Sequence, residues 1–407
     1  MGRFKGLGEG SGSYIIPDED WVEIARETMA AFWSAEIWAF WFIYIAPVVL
    51  RGRFEHEKYY DHMCDLISIM KTTLQFEITR QALETLREQI VRWVEQYEEY
   101  YYQYDSSRLS TCLLVVHGLL HLVDDILYAG PCWATWTFFM ERFCGSLKRA
   151  LRSRTHPWAN LDRRAVNLAH AAHLRARYDL EEELALLPRP RRPSGPTAHP
   201  LSYLRNRCLP KYDPSKETRI RIARYLVSVV GGQRAAVAKA LPRFIPAWGG
   251  VRIGTDGDTI RAVIGSRSRL GSEFERNASF VRYEVLQQRW DGGDERLICY
   301  GELQAILECA LPPGNEARWK DLAGTTVLLA LITPCNTRGC DGTRSLALYK
   351  DTLAPVVVDL RTVQAVVGRV KSRGSWGIVD RSNGLARTVF VNEDDLGLDS
   401  EEHSEDG

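Results

Sequence analysis

The chain has 407 residues, of which 45% are apolar, and this size allows two or three hydrophobic cores. Its 52 lysines and arginines balance its 52 aspartates and glutamates, so the net charge favours no class of partner. Nine cysteines without a repeating spacing, and no secretory leader before them, predict reduced thiols in the cytosol or nucleus. They argue against a disulfide-stabilised secreted domain.

The N-terminal half is predicted to be helical. Residues 1–20 are Gly/Ser-rich and predict a flexible N-terminus, with a helix start at Pro17–Asp20. From Trp21 to about Leu187, apolar residues recur at spacings of three and four, which predicts a helical domain over 21–187. The uncharged run Ile37–Leu50 is too short for a bilayer span of about twenty residues, so we expect a buried core helix and no membrane association.

One predicted helix, Leu113–Tyr128, carries His117 and His121. Side chains four residues apart share a helix face, so both imidazoles could bind one zinc ion. Asp124 and Asp125 follow closely and could each accept a hydrogen bond from an imidazole. A structural zinc site needs four ligands, and the chain has no Cys-x-x-Cys motif to complete one. The pair therefore predicts either a freestanding metal site or half of a site whose other half lies outside the chain.

The next predicted helix, Trp133 to about Arg152, carries Glu141 among aromatic residues. This carboxylate either pairs with Arg142 or another base, or is placed to bind metal. Two-metal phosphoryl transfer needs several carboxylates around two cations, and one glutamate cannot supply them. Metalloprotease chemistry of the His-Glu type is excluded in its simple form, because no glutamate follows His117.

The segment from residue 142 to residue 177 is strongly basic, with Asp162 as its only acid. This segregation predicts a surface that faces a polyanion, while a solvated helix face with arginine stems over apolar surface remains the alternative. A further helix is predicted from Leu161 to about Leu186. The candidate DNA-binding residues are Arg142, Lys148, Arg149, Arg152, Arg154, Arg163 and Arg164, and Arg175 and Arg177 extend the same segment.

A Pro/Arg-rich segment, residues 188–200, is predicted to be an interdomain linker without helix or strand. Residues 201–391 then predict one helix, Thr218–Leu241, and a small antiparallel barrel or sandwich. The acidic residues 392–407 predict a disordered tail. The fold class is thus α+β. The predicted strands lie within Gly250–Ile264, Phe280–Leu286, Arg296–Leu311, Thr325–Thr333, Leu346–Tyr349 and Val356–Val370.

Several stretches in combination carry a family resemblance. In the helical half they are Tyr100–Asp105, Arg108–Cys112, His117–His121, Gly130–Trp133 and Met140–Gly145. In the C-terminal module they are Tyr300–Leu303, Ile332–Asn336, Val367–Val370 and Gly374–Ile378. From about Tyr14 to Phe390 the chain resembles the C-terminal half of fungal CACTA-type (En/Spm-like) DNA transposases, followed by their β accessory module.

The resemblance implies a fragment of an RNase-H-like core whose Asp-Asp-Glu triad binds magnesium, with a helical insertion that holds zinc. On this basis His117 and His121 match the zinc histidines, and Glu141 matches the last triad carboxylate. Both catalytic aspartates and the cysteine pair are expected upstream of Met1, and nothing in this chain replaces them. We therefore expect a catalytically inactive, nuclear, transposon-derived remnant that retains DNA binding. The alternative is a co-opted scaffold, nuclear or cytoplasmic, whose β module binds a protein partner.

Overall fold

The structure, a computed structural model, describes Tyr14 and residues 16–28, 35–138, 140, 144–145, 151, 155–180, 197–199, 202–253, 258–265, 278–288, 294–313 and 316–385. Helices dominate its N-terminal half, and antiparallel sheets dominate its C-terminal half. The predicted α+β class is confirmed at this level.

The N-terminal half contains mostly short helices around two apolar clusters. They are α1 (Asp18–Thr28), α2 (Ala35–Phe40), a π-helical segment (Trp41–Ile45), α3 (Ala46–Val49), α4 (Glu57–Thr73), α5 (Arg80–Tyr97), α6 (Leu114–Leu119), α7 (Leu122–Ala129), α8 (Cys132–Thr135) and α9 (Pro157–Tyr178). A second π-helical segment, Glu98–Tyr102, and a 3₁₀ segment, Ser106–Thr111, join α5 to α6.

Helix α5 shows how local sequence determines a helix in this half. The Thr79 side chain accepts a hydrogen bond from the Ala82 N–H and so caps the N-terminus of α5. Leu86 and Ile90, four residues apart, are buried against Ile69 of α4 and Val123 of α7. Amphipathic spacing therefore packs α5 in the centre of this helical cluster.

The apolar run Ile37–Leu50 is helical from Ala35 to Val49, with a π-helical segment at its centre. Trp41, Ala46 and Val49 are buried, so the prediction of a buried core helix is confirmed. Among the residues that the structure describes, no helix combines the length and the apolar content that a membrane crossing requires.

The C-terminal half contains two antiparallel sheets and a helical cover. The strands are β1 (Thr197–His199), β2 (Ser202–Leu209), β3 (Ala247–Ile253), β4 (Thr259–Arg261), β5 (Phe280–Gln288), β6 (Asp294–Ala310), β7 (Thr326–Pro334), β8 (Leu348–Tyr349), β9 (Val356–Asp359), β10 (Val363–Val366), β11 (Gly368–Ser372) and β12 (Ser375–Val379). Its helices are α10 (Lys216–Val230), α11 (Arg234–Ala240) and α12 (Glu316–Trp319).

The larger sheet is built around β6, which pairs with β5 along its first half and with β7 along its second half. The order β10-β5-β6-β7-β9 continues outward, and β3 joins β6 at Ala247 and Trp248. One face packs under α10 and α11, and the other face encloses Val281, Leu303 and Ile332. The described strand pairs do not close a barrel, because β9 and β10 are joined by a 3₁₀ turn but do not pair with each other.

The smaller sheet, β11-β12-β8, packs against the N-terminal helices. Val370 of β11 joins the apolar cluster that contains Trp41. The Arg373 guanidinium donates a hydrogen bond of 2.8 Å to the Gly52 carbonyl. The two halves of the chain are therefore in direct contact, although the sequence predicts two domains separated by a linker at residues 188–200.

Four predictions of local structure need correction. The predicted helix Leu113–Tyr128 is two helices that break at Leu120 and His121, and the predicted helix from Trp133 is interrupted at residues 136–137. The predicted helix Thr218–Leu241 is also divided, because Gly231 and Gly232 adopt positive φ. Thr197–His199, placed in the linker, pair with β2 as a strand.

Candidate functional site

The two histidines of the predicted zinc pair lie close together in space. His117 is in the last turn of α6 and His121 is the residue that precedes α7. Their Nε2 atoms are 3.2 Å apart, and their rings meet edge to face with centroids 5.0 Å apart. The turn at Leu120 therefore preserves the neighbour relationship that a continuous helix was expected to provide.

This geometry fits two ligands of one zinc ion. Two zinc–nitrogen bonds of about 2.0–2.1 Å at the tetrahedral angle place the nitrogens about 3.3 Å apart. Both side chains are exposed, although their apolar surroundings in the sequence suggested burial. Because neither imidazole is buried, burial is no argument for a metal role. The argument for zinc is the short distance between the two nitrogens.

The remaining ligands of a zinc site are not assembled among the described residues. Asp124 forms an ion pair with Arg87, with a shortest N–O distance of 2.5 Å. Hydrogen bonds from Arg87 hold the pKa of Asp124 below its usual value, so this carboxylate is held by the guanidinium. In the part of the chain that the structure describes, no three His, Cys, Asp or Glu side chains are grouped as a metal site.

Much of the predicted catalytic and DNA-binding set lies outside the described residues: Glu141, Arg142, Lys148, Arg149, Arg152 and Arg154. Arg163 and Arg164 are described, and both are exposed on α9. The structure therefore reports on two of the seven predicted DNA-binding residues.

Most residues of helix α9 are exposed to solvent. None of its 22 residues is buried, and even Trp158 is 78% exposed. It carries Arg163, Arg164, Arg175 and Arg177 but only one acid, Asp162. The described part of the basic segment is thus a solvent-facing cationic helix.

A second feature, which no local sequence pattern indicates, is a groove of about 1200 Å³ beside β9. Strand β9 and the outer end of β5 line it, together with α10 and the loop after β7. Five arginines line this groove and only two carboxylates do. The arginines are Arg221, Arg224, Arg296, Arg338 and Arg361.

Two of these arginines are paired with the two carboxylates. Arg361 binds Asp359 with an N–O distance of 2.6 Å, and Arg296 lies 3.8 Å from Glu284. Asp359 also accepts a hydrogen bond from the Tyr225 hydroxyl; burial and the Asp359 charge raise the pKa of Tyr225 to about 12. The other three arginines form no ion pair with described residues, so the groove carries excess positive charge.

This groove could not be found from sequence patterns. Arg221 and Arg224 are neighbours on one helix face, but Arg338 and Arg361 lie more than a hundred residues further along the chain. Only the pairing of β5, β6, β7 and β9 brings these segments together.

The helical half also contains a buried histidine, His62, that belongs to no recognisable sequence motif. The His62 ring stacks on Trp93 with centroids 4.4 Å apart and an interplanar angle of 7°. Its Nε2–H donates to the Trp93 carbonyl, and its Nδ1 lies 3.3 Å from the Tyr101 hydroxyl. Burial lowers the pKa of His62, which favours the neutral ring and a structural role.

No protein-family model, curated protein or solved structure matches this chain.

Proposed function

We propose that this protein is a remnant of a CACTA-type cut-and-paste DNA transposase that has lost strand cleavage but retains DNA binding. The motif resemblance supports the origin. The observation that carries the DNA-binding role is the cationic helix α9, on which Arg163, Arg164 and Arg177 are exposed to solvent.

The dimensions of α9 suit a duplex. Its 22 residues extend about 33 Å at 1.5 Å per residue, close to one helical turn of B-DNA. Arginines on such a helix neutralise phosphates and release counterions, so binding is tolerant of sequence and falls steeply with salt. A nuclear location follows from the same proposal.

The proposed lack of cleavage rests on the carboxylates. The resemblance gives Glu141 the place of the third triad residue, and two magnesium ions need more carboxylates than this one. His117 and His121 keep the geometry of half a zinc site, whose role was to stabilise the helical insertion of the parent enzyme. On this proposal the helices represent a fragment of an RNase-H-like core, and the two sheets represent the accessory β module.

A charge-reversal experiment tests the DNA-binding role. The variant Arg163→Glu/Arg164→Glu should weaken binding of a labelled 30-base-pair duplex at least about tenfold at low salt. The slope of log K against log salt concentration should become shallower by about 0.9 for each phosphate contact that is lost. A matched control reverses two exposed arginines elsewhere, Arg243→Glu/Arg344→Glu, and should bind DNA almost as the original chain does. Absence of DNA affinity in the original chain, or equal loss in both variants, would contradict the proposal.

A second candidate function is a co-opted scaffold that binds a protein partner through its β module. The arginine-lined groove beside β9 favours it. Changing Arg149, Arg152 and Arg154 to glutamate separates the two functions, because a DNA role would be lost and a β-module role would remain.

A further inference from the structure

The groove beside β9 is bordered by unpaired strand edges. Strand β9 pairs with β7 on one side, and no other described strand pairs with its opposite side. Strand β5 pairs with β10 only through Val281–Tyr283, so no described strand lies beside its outer part, from Glu284 onward. Exposed strand edges carry free N–H and C=O groups and accept an added strand. The groove therefore lies beside two unpaired strand edges of the larger sheet, and an extended segment can pair with either of them.

The walls of this groove define the chemistry of the segment. Val356, Val358, Leu286 and Leu353 provide apolar surface. Arg221 and Arg224 of α10 lie on one wall, and Arg338 lies in the loop after β7. These three arginines lack ion pairs among the described residues, so the complementary segment is acidic with a few apolar side chains.

The sequence after residue 392 has this composition. Its run Glu393-Asp394-Asp395-Leu396-Gly397-Leu398-Asp399-Ser400-Glu401-Glu402 contains no basic residue. Leu396 and Leu398 are two apart, so they would share one face of an extended strand. Asp395 and Asp399 would share the opposite face with Glu393 and Glu401. This alternation matches a groove that has apolar surface and arginines on its walls.

The chain also passes close to the groove before this run begins. Asp380 lies 2.7 Å from Arg282, whose Nε donates a hydrogen bond of 2.9 Å to Gln364, and Gln364 lines the groove. The described chain continues to Leu385, which forms a β-bridge with Gln75 of the helical half, and seven residues lie between Leu385 and Glu393. An extended chain advances about 3.3 Å per residue, so Glu393 can lie up to about 26 Å from Leu385.

We infer that the acidic run Glu393–Glu402 binds in the groove beside β9 as an added strand of the same chain. Strand pairing to β9 or β5 supplies the backbone hydrogen bonds, the two leucines contact the valines, and the carboxylates face Arg221, Arg224 and Arg338. The groove is then filled by its own tail, and any other acidic ligand has to displace it.

A peptide competition experiment tests this inference. The probe is a fluorescein-labelled synthetic peptide of residues 392–402, and binding is followed by fluorescence anisotropy at low salt. The receptor is the full chain with a weakened tail, Asp395→Asn/Leu396→Ser/Leu398→Ser/Asp399→Asn. This receptor should bind the peptide at least about tenfold more tightly than the original chain, whose own tail competes at an effective concentration in the millimolar range.

Two controls separate groove binding from general charge attraction. Adding Arg221→Glu/Arg224→Glu/Arg338→Glu to the receptor should weaken peptide binding at least tenfold, while adding Arg163→Glu/Arg164→Glu should leave it unchanged. A scrambled peptide of the same composition should bind several-fold more weakly.

The inference would be overturned if the scrambled peptide bound as tightly as the original peptide, or if the groove variant bound the peptide as tightly as its parent receptor. Either result would show only a general attraction between opposite charges. Equal peptide binding by the original chain and the weakened-tail chain would also overturn it. A dimer of the original chain that dissociates when the tail is weakened would overturn it as well, since the tail would then occupy a second copy.

Discussion

The Arg282 guanidinium on β5 lies 2.7 Å from the carboxylate of Asp380, a residue 98 positions later that directly follows β12. The Asp380 side chain is fully buried, and Tyr300 of β6 donates a hydrogen bond of 2.7 Å to the same oxygen. Burial and this bond raise the pKa of Tyr300, so the phenol stays a donor. The three residues join the larger sheet to the smaller sheet.

Removing the carboxylate should therefore destabilise the fold. Asp380→Ala removes the acceptor of the Tyr300 hydroxyl and the buried one of the two carboxylates that pair with Arg282, which keeps Asp341 at 3.0 Å. Breaking a buried pair costs up to about 3–5 kcal/mol. Urea denaturation measures the free energy of unfolding. The control Arg296→Met removes an exposed pair with Glu284 and should change stability little. A similar small loss for both variants would contradict the role given to Asp380.

The contact between the two halves of the chain depends on Gly377. A Cβ atom at this position would overlap the Val48 side chain of α3. We expect Gly377→Ala to cost about 1–3 kcal/mol through overpacking. The double variant Gly377→Ala/Val48→Ala should recover much of this loss, because the smaller alanine makes room. Thermal denaturation of the three variants checks the coupling, and purely additive losses would show that the halves do not pack as described.

Acid should destabilise the protein through His62. Because burial lowers the pKa of His62, the unfolded chain binds its proton more readily than the folded chain does. Stability should therefore fall as the pH drops from about 7.5 to 5, through the usual histidine value near 6.5. His62→Gln should be less stable at pH 7.5 but should show a shallower fall over this window. His170→Gln, on exposed α9, should keep the original slope, and an unchanged slope for His62→Gln would contradict the prediction.

The histidine pair should bind zinc through both imidazoles. Losing only a hydrogen-bond partner of a metal ligand weakens affinity by about 10- to 100-fold. His117→Ala or His121→Ala should therefore weaken zinc binding at least tenfold in calorimetric titration. His170→Ala/His173→Ala removes two exposed histidines of α9 and serves as the matched control. Equal zinc affinity in all variants would exclude the pair as a site.

Local patterns in the sequence were enough to predict much of the fold. The prediction of strands at Phe280–Leu286 and Thr325–Thr333 agrees with β5 and β7 within two residues, because alternating and β-branched residues identify strands. Helix breaks were missed where the pattern continued through a turn, as at Leu120 and at Gly231-Gly232. A local apolar period does not report these breaks.

The functional features were predictable only where they are local. His117 and His121 are four residues apart, so their convergence could be expected from spacing. The groove beside β9 and the Arg282–Asp380 pair unite residues separated by dozens of positions, and only the strand order brings them together. For the same reason, the sequence showed that α9 is basic but not that none of its residues is buried.

A magnesium-dependent cleavage assay tests the central claim most directly. The purified chain is incubated with supercoiled plasmid at low salt, with and without magnesium, at protein concentrations that shift the plasmid in a gel. We expect DNA to be bound and to remain supercoiled under both conditions. Magnesium-dependent nicking or joining that is lost in Glu141→Gln would contradict the account, because it would show a working cleavage site in a chain to which we assign only one of its carboxylates.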